Sequence, residues 1–244
     1  MSVLIEGKNL SKSFGGLTAV KEVDFHLSEG EIVGLIGPNG AGKTTLFNLI
    51  TGIFPPDTGT LSFRGESLLE RKPFEICRLG IGRTFQIVRP FLKMTCLENV
   101  LVGIIGRGEK GQGKGEKHEE AREILQVIGL AAHEQRLSKD LTLIEKKRLE
   151  MARALATKPR VILLDEVLAG LNPSEIQQAL ELIERIRSQF RITLFWIEHV
   201  MGAIMKASDR VVVLDQGRKI KEGKPQDVVT DPGVIEAYLG EENA

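Results

Sequence analysis

Cys77 and Cys96 are the only cysteines in 244 residues. Their spacing fits neither a metal site nor a redox pair, so a disulfide-stapled scaffold is excluded and reduced thiols are the default. Charge of one sign is also lacking, with 33 lysines and arginines set against 33 aspartates and glutamates. Such balance gives no general pull toward nucleic acid, and none is expected as a partner. No apolar run reaches the roughly 18 residues that a bilayer span requires. The opening Met1-Ser2-Val3-Leu4-Ile5-Glu6 lacks the basic and long apolar regions of a signal peptide. The chain is therefore expected to be soluble and to reach a membrane only through a partner. With 42% apolar residues it can bury a core, as one large domain or two small ones.

What is there begins with Gly37-Pro38-Asn39-Gly40-Ala41-Gly42-Lys43-Thr44-Thr45, a full match to the phosphate-loop pattern. Ile32–Ile36 before it reads as a buried strand, and Thr45–Ile50 after it as the first turns of a helix. In that context glycines let backbone N–H groups converge on an anion, and the helix N-terminus adds its positive dipole end. Lys43 is expected to reach the β- and γ-phosphates of a nucleoside triphosphate, and the Thr44 hydroxyl to ligate Mg²⁺.

Around this loop, Val3–Glu6 and Ala19–Leu27 read as strands joined through a Gly15-Gly16 turn, and Thr60–Gly65 as an edge strand. Phe14 sits in the first connection, an aromatic placed to pack or to stack on a base. Gly82–Gln86 reads as a strand ending in a polar residue, and Arg89–Met94 as an apolar cluster flanked by charge. Thr95 with Glu98 makes a capping box for a helix through Val102. Residues 107–117, rich in glycine and lysine, read as a mobile solvent-facing loop. Helical periodicity returns over His118–Leu130 and Ile144–Leu155. From Val161 onward strands alternate with helices, and the last two strands form a hairpin across Gln216-Gly217. The expected class is α/β: a mostly parallel sheet covered on both faces, with an all-helical stretch inserted.

Two further strand ends carry chemistry. Val161-Ile162-Leu163-Leu164 runs into Asp165 and Glu166, which can diverge into the crevice where such sheets bind ligands. Asp165 suits the Mg²⁺ shell and Glu166 the polarising of an attacking water. Ile197-Glu198-His199 ends the next strand, where an imidazole beside Glu166 could hydrogen-bond a γ-phosphate. Gln86 could coordinate Mg²⁺ or water through its amide.

Along nearly its whole length the chain resembles an ABC-type ATPase. Gly37 to Thr44 match the Walker A motif, Val161 to Asp165 the Walker B motif, and Glu166 the catalytic glutamate. Gln86 matches the Q-loop, His199 the switch histidine and Phe14 the adenine-stacking aromatic. Phe14–Val20, Arg83–Gln86, Ala169–Pro173, Glu198–Met201 and Ile235–Gly240 resemble the ATP-binding subunits of branched-chain amino-acid importers; those of urea and other small-solute importers share these features. The resemblance implies a P-loop NTPase with a RecA-like core and an antiparallel β subdomain (residues 1–87 and 159–244) and an inserted helical subdomain (88–158). It also implies ATP and Mg²⁺, peripheral attachment at the cytoplasmic face of the inner or plasma membrane, and transmembrane permease subunits. A second ABC ATPase and an indirect link to a solute-binding protein complete the set of partners.

One departure stands out. Where the family carries Leu-Ser-Gly-Gly-Gln, this chain has Leu141-Thr142-Leu143-Ile144-Glu145. In the family this signature closes on the γ-phosphate held by the opposite subunit, so Thr142, Leu143, Ile144 and Glu145 are expected to make a weakened half-site. The D-loop position is Asn172 where most relatives have aspartate. An exporter ATPase for lipid or polysaccharide, a soluble ABC protein and a regulatory module without turnover are the rival readings.

Overall fold

The computed structural model of the chain describes residues 2–109 and 111–239. Met1 of the N-terminal stretch, Lys110 of the glycine- and lysine-rich segment and Gly240 of the C-terminal motif lie outside these residues.

Strand β1 (Val3–Phe14) turns at Gly15-Gly16 into β2 (Leu17–Ser28), and the two pair antiparallel from Val3 opposite Ser28 to Phe14 opposite Leu17. In β2, Val23, Phe25 and Leu27 are buried while Glu22 and Asp24 are exposed. Strand β1 is longer than its apolar start suggests, because register shifts between Gly7 and Leu10 absorb the polar middle. Strand β3 (Ile32–Ile36) is buried throughout and feeds the glycine loop, after which α1 (Lys43–Ile50) begins. Strand β4 (Thr58–Phe63) lies between β1 and the two-residue β5 (Glu66–Ser67). The edge position expected for residues 60–65 thus falls to β5. A turn at Arg64-Gly65, both in the left-handed region (φ 52° and 81°), folds β5 back over it.

Helix α2 (Pro73–Leu79) and strand β6 (Ile81–Arg83) come next, then α3 (Cys96–Gly106) on the expected capping box of Thr95 and Glu98. Helix α4 (Lys114–Val127) starts inside the segment expected to be a solvent-facing loop. The Glu116 carboxylate accepts from Gly113 N–H at 2.9 Å and so closes the helix start. The Arg107 side chain is buried, ion-paired to Glu120 at 2.6 Å and Glu109 at 3.4 Å. Its hydrogen bond holds the Glu120 carboxyl down at about 2. A buried guanidinium needs such partners, and that need ties both ends of the segment to the body.

Helix α5 (Leu143–Leu155), strand β7 (Val161–Asp165), helix α6 (Pro173–Phe190), strand β8 (Thr193–Ile197) and helix α7 (Met201–Ala207) follow. Strands β9 (Arg210–Asp215) and β10 (Arg218–Gly223) make the expected hairpin, with Gln216 and Gly217 at φ 43° and 78°. Short helices α8 (Pro225–Val229) and α9 (Pro232–Leu239) close the described chain.

The larger sheet has the order β10-β9-β3-β8-β7-β6, parallel except for β10. Its central strands separate two cores by period-two alternation. Val33, Leu35, Leu163, Phe195 and Ile197 face α1 and the smaller sheet; Ile32, Ile36, Ile162, Leu164 and Trp196 face the helices. Because β3, β8, β7 and β6 run parallel, their carboxyl ends share one edge. That edge holds the loop at 37–45, His199, Asp165, Glu166 and the segment leading to Gln86.

The strand expected over Gly82–Gln86 is shorter than that. Thr84 N–H still donates to Leu163 O at 2.9 Å, and Thr84 Oγ1 accepts from Asp165 N–H at 3.2 Å. Beyond it the neighbouring chain turns away at Glu166, whose φ is 49°, so Phe85 and Gln86 leave the ladder and project outward.

Candidate functional site

The phosphate loop owes its shape to close backbone approach. A Cβ on Gly37 (φ 148°) would lie 2.0 Å from Leu214 O, and one on Gly42 (φ 99°) would lie 2.2 Å from Ala19 O. Only glycine fits at either place. The loop therefore rests on β2 and on the β9–β10 hairpin, and Gly217 N–H donates to Ala41 O at 3.2 Å. Gly42 is the N-cap of α1 without a side-chain cap, which leaves the helix N–H groups turned to the loop's interior. Lys43 is buried at 6% exposure, with Nζ donating to Gly37 O at 2.5 Å and Pro38 O at 2.7 Å. An ammonium spanning the loop's own carbonyls is poised to exchange them for phosphate oxygens.

Facing the loop, Glu166 is held from two sides. Gln86 Nε2 donates to Glu166 Oε2 at 2.7 Å, and His199 Nε2 lies 3.1 Å from Oε1. Three residues that sequence places on different strand ends thus meet on one carboxylate. The left-handed backbone at Glu166 is a strained conformation for a non-glycine residue, of a kind that collects at functional sites. Lys147 Nζ on α5 donates to the Glu166 backbone carbonyl at 3.2 Å, which helps to fix that turn.

Asp165, Thr44 and Gln86 line one cavity of about 620 Å³ with Arg83, Phe85 and Ile87. Asp165 is almost fully enclosed and its Oδ2 accepts from Arg83 Nη2 at 2.8 Å. Sequence reasoning passes over Arg83 as a site residue, although a charged side chain inside a short buried strand is itself a signal. It also passes over Glu198, read only as the neighbour of His199. Glu198 is 2% exposed and accepts from Leu168 N–H at 2.8 Å. Burial raises its carboxyl to about 7, against the opposing pull of that N–H and of Lys147.

The segment after Gln86 forms the outer wall. Phe85, Ile87, Phe91 and Leu92 are between 44% and 65% exposed. The Arg89–Met94 stretch is pinned from below: buried Glu150 accepts from Arg89 N–H at 2.9 Å, and buried Asn99 accepts from Phe91 N–H at 2.8 Å. Arg153 lies over the Phe91 ring at 4.8 Å.

Phe14 stands at the tip of the β1–β2 hairpin, 41% exposed, edge-on to Phe54 at 5.1 Å and beneath Lys12 Nζ at 5.7 Å. The signature segment forms the start of α5, distant in sequence from the loop. Thr142 is the N-cap, and its N–H and Oγ1–H donate to the Glu145 carboxylate at 2.7 and 3.0 Å. Glu145 is itself flanked by His133 at 3.5 Å and Arg136 at 3.7 Å. Burial acts to raise its carboxyl, but the two Thr142 bonds, with His133 and Arg136 beside it, outweigh it and hold the carboxyl low. Leu143 at N1 is 47% exposed. Asn172 caps α6 through a second such box with Glu175.

A glycine cradle at the end of a central parallel strand, answered by carboxylates at the end of a strand two places along the same sheet, defines a P-loop nucleotide-binding protein. A family model described as ABC transporter matches residues 20–169, and one described as branched-chain amino acid ATP-binding cassette transporter matches residues 218–244. The high-affinity branched-chain amino acid transport ATP-binding protein LivG of Salmonella typhimurium is 41% identical over 250 aligned positions, covering 98% of each chain. The crystal structure of the ADP conformation of an ATP-binding cassette of an ABC transporter superposes with a TM-score of 0.90 at 32% identity, covering 98% of this chain and 100% of that one. A dimeric post-hydrolysis ATP-binding cassette bound to ADP and Pi gives 0.82 at 25% identity, covering 91% and 99%. The chain belongs to the ABC transporter family and is an ATPase of its ATP-binding cassette type.

Proposed function

We propose that this chain is the ATP-binding and hydrolysing subunit of an importer for branched-chain amino acids. It sits on the cytoplasmic face of the membrane beneath permease subunits and pairs head to tail with a second cassette. The observation that carries the reading is the Glu166 carboxylate, held between Gln86 and His199 across from the buried Lys43. A carboxylate so oriented can take a proton from a water aimed at the γ-phosphate, a contribution of about 10²–10⁴-fold. In this reading Gly37 to Thr45 cradle the phosphates, Phe14 stacks on the adenine and His199 bonds the γ-phosphate.

The Thr44 hydroxyl, the Asp165 carboxylate and the Gln86 amide oxygen are hard donors suited to Mg²⁺, and they share one cavity. Among the described residues no group of three His, Cys, Asp or Glu forms a cage, so these donors would share the ion with phosphate oxygens and water. When bound, the ion neutralises charge on the β- and γ-phosphates.

Branched-chain amino acids as the solute rest on the relatives' names and on the match at residues 218–244. The exposed rings around Arg89–Met94, over a pinned backbone and rimmed by Arg153, suit a coupling helix of the permease. Among the described residues no helix is long and apolar enough to cross a membrane. The altered start of α5 favours a partner cassette of different sequence. ATP on this chain's loop would then meet an intact signature, while this chain's own signature serves the weaker site.

Equilibrium nucleotide binding and steady-state hydrolysis test the reading. Lys43→Ala is expected to lose ATP affinity by about tenfold or more. Glu166→Gln is expected to keep binding and lose turnover by about 10²-fold or more in the assembled transporter. Undiminished ATP binding by the lysine variant would sink it.

A further inference from the structure

We propose that Arg83 is a positioning residue for Asp165, a resident counter-cation that holds the metal-site carboxylate and sets how tightly a divalent ion can bind there. The inference rests on the nucleotide and metal reading given above and adds a residue to it. Arg83 ends β6 with 8% of its side chain exposed, and Asp165 ends the adjacent β7 with 5% exposed. Nη2 donates to Asp165 Oδ2 at 2.8 Å, and Nη1 donates to Asn48 Oδ1 of α1 at 2.7 Å. The guanidinium lies between the rings of Phe47, 5.6 Å away, and Phe85, 5.2 Å away. One residue thereby joins the strand that leads to Gln86, the helix behind the phosphate loop and the carboxylate expected to meet the metal.

Stability alone is a poor account of this arginine. Its Nε is buried without a hydrogen-bond partner, a standing cost that an apolar side chain in the same aromatic slot would not carry. What an apolar side chain could not supply is the positive charge against an enclosed carboxylate. The same charge works against any divalent cation that approaches Asp165, because metal and guanidinium compete for one anion and repel each other at short range. Arg83 thus raises the threshold for metal binding in the absence of nucleotide. The negative charge of bound nucleotide phosphates lowers it, so that metal and nucleotide arrive together.

The test is a Mn²⁺ titration followed by electron paramagnetic resonance, on the full chain with and without ADP. Removing the cation in Arg83→Met is expected to tighten Mn²⁺ binding by about tenfold or more, whereas Arg83→Lys stays within about threefold of the parent. Arg83→Gln, which keeps a donor for Asn48, carries the same test if the methionine variant fails to fold. Loss of packing would weaken metal binding, so tightening separates the electrostatic role from a structural one. Unchanged or weaker Mn²⁺ binding in the neutral variants, or equal tightening in Arg83→Lys, overturns the proposal. ADP binding in excess Mg²⁺ is read separately: its absence in the parent would overturn the nucleotide reading, while the nucleotide-free Mn²⁺ titration still judges Arg83.

Discussion

Glu198 joins the end of β8 to the stretch that follows β7. Its carboxylate caps Leu168 N–H in the stretch after Glu166, and the next residue is His199. Burial raises its carboxyl from 4.5 to about 7, and burial lowers the pKa of the buried Lys147 ammonium. A carboxyl whose folded pKa lies above its unfolded value stabilises the fold fully below pH 4.5, and that contribution is lost as pH rises through about 7. The shift corresponds to about 3 kcal/mol at most. Glu198→Gln keeps the amide oxygen for Leu168 and removes the titration. Urea unfolding from pH 5 to 8 should then show the variant gaining on the parent as pH rises, and a parallel pair of curves would refute the assignment. Neither this role nor that of Arg83 was legible in the sequence. Each depends on which strand lies beside which, and adjacency in the sheet is not written in the order of the chain. Lys43 could be read from the glycine-loop pattern, and Asp165, Glu166 and His199 because each follows a short apolar run, where the local pattern alone gives the placement.

At the scale of an element, the start of α5 repeats a device that the sequence declares elsewhere. Thr95 with Glu98 and Thr142 with Glu145 are the same box, and both close a helix N-terminus on a carboxylate. In the proposed reading, that carboxylate occupies the helix end expected to face a partner's phosphate. Exposed Leu143 at N1 adds bulk where glycine allows close approach. Combining Leu143→Gly, Ile144→Gly and Glu145→Gln should raise steady-state ATPase of the purified chain by about tenfold or more, as phosphate-facing donors are regained. An unchanged rate would mean that this helix end has no part in turnover. Element boundaries were less legible than element identities. β1 outruns its apolar start because neighbours on both sides hold its polar middle, and α4 begins early because Glu116 and the buried Arg107 organise a stretch that composition alone renders featureless.

For the whole molecule, the sheet that separates two apolar cores also brings together the wall proposed for docking and the nucleotide site. The cavity behind Phe85 and Ile87 reaches Thr44 and Asp165, so the two surfaces share one lining. Phe91→Asp is expected to leave ATP binding within about twofold and to abolish solute uptake in reconstituted vesicles, since a charge at an apolar contact opposes docking without touching the phosphate loop. Uptake at the parent rate would retire the docking surface. The α/β class was legible because helix and strand periods alternate after Val161 and around the glycine loop. The support beneath that loop was not legible, for it comes from a hairpin almost two hundred residues further along. That support imposes an order on biosynthesis. Residues 37–45 leave the ribosome well before Leu214 and Gly217, which shape their floor. A nascent chain stalled before β9 would carry the complete motif and still lack the surface that gives it form, so nucleotide capture is expected to wait for the β9–β10 hairpin.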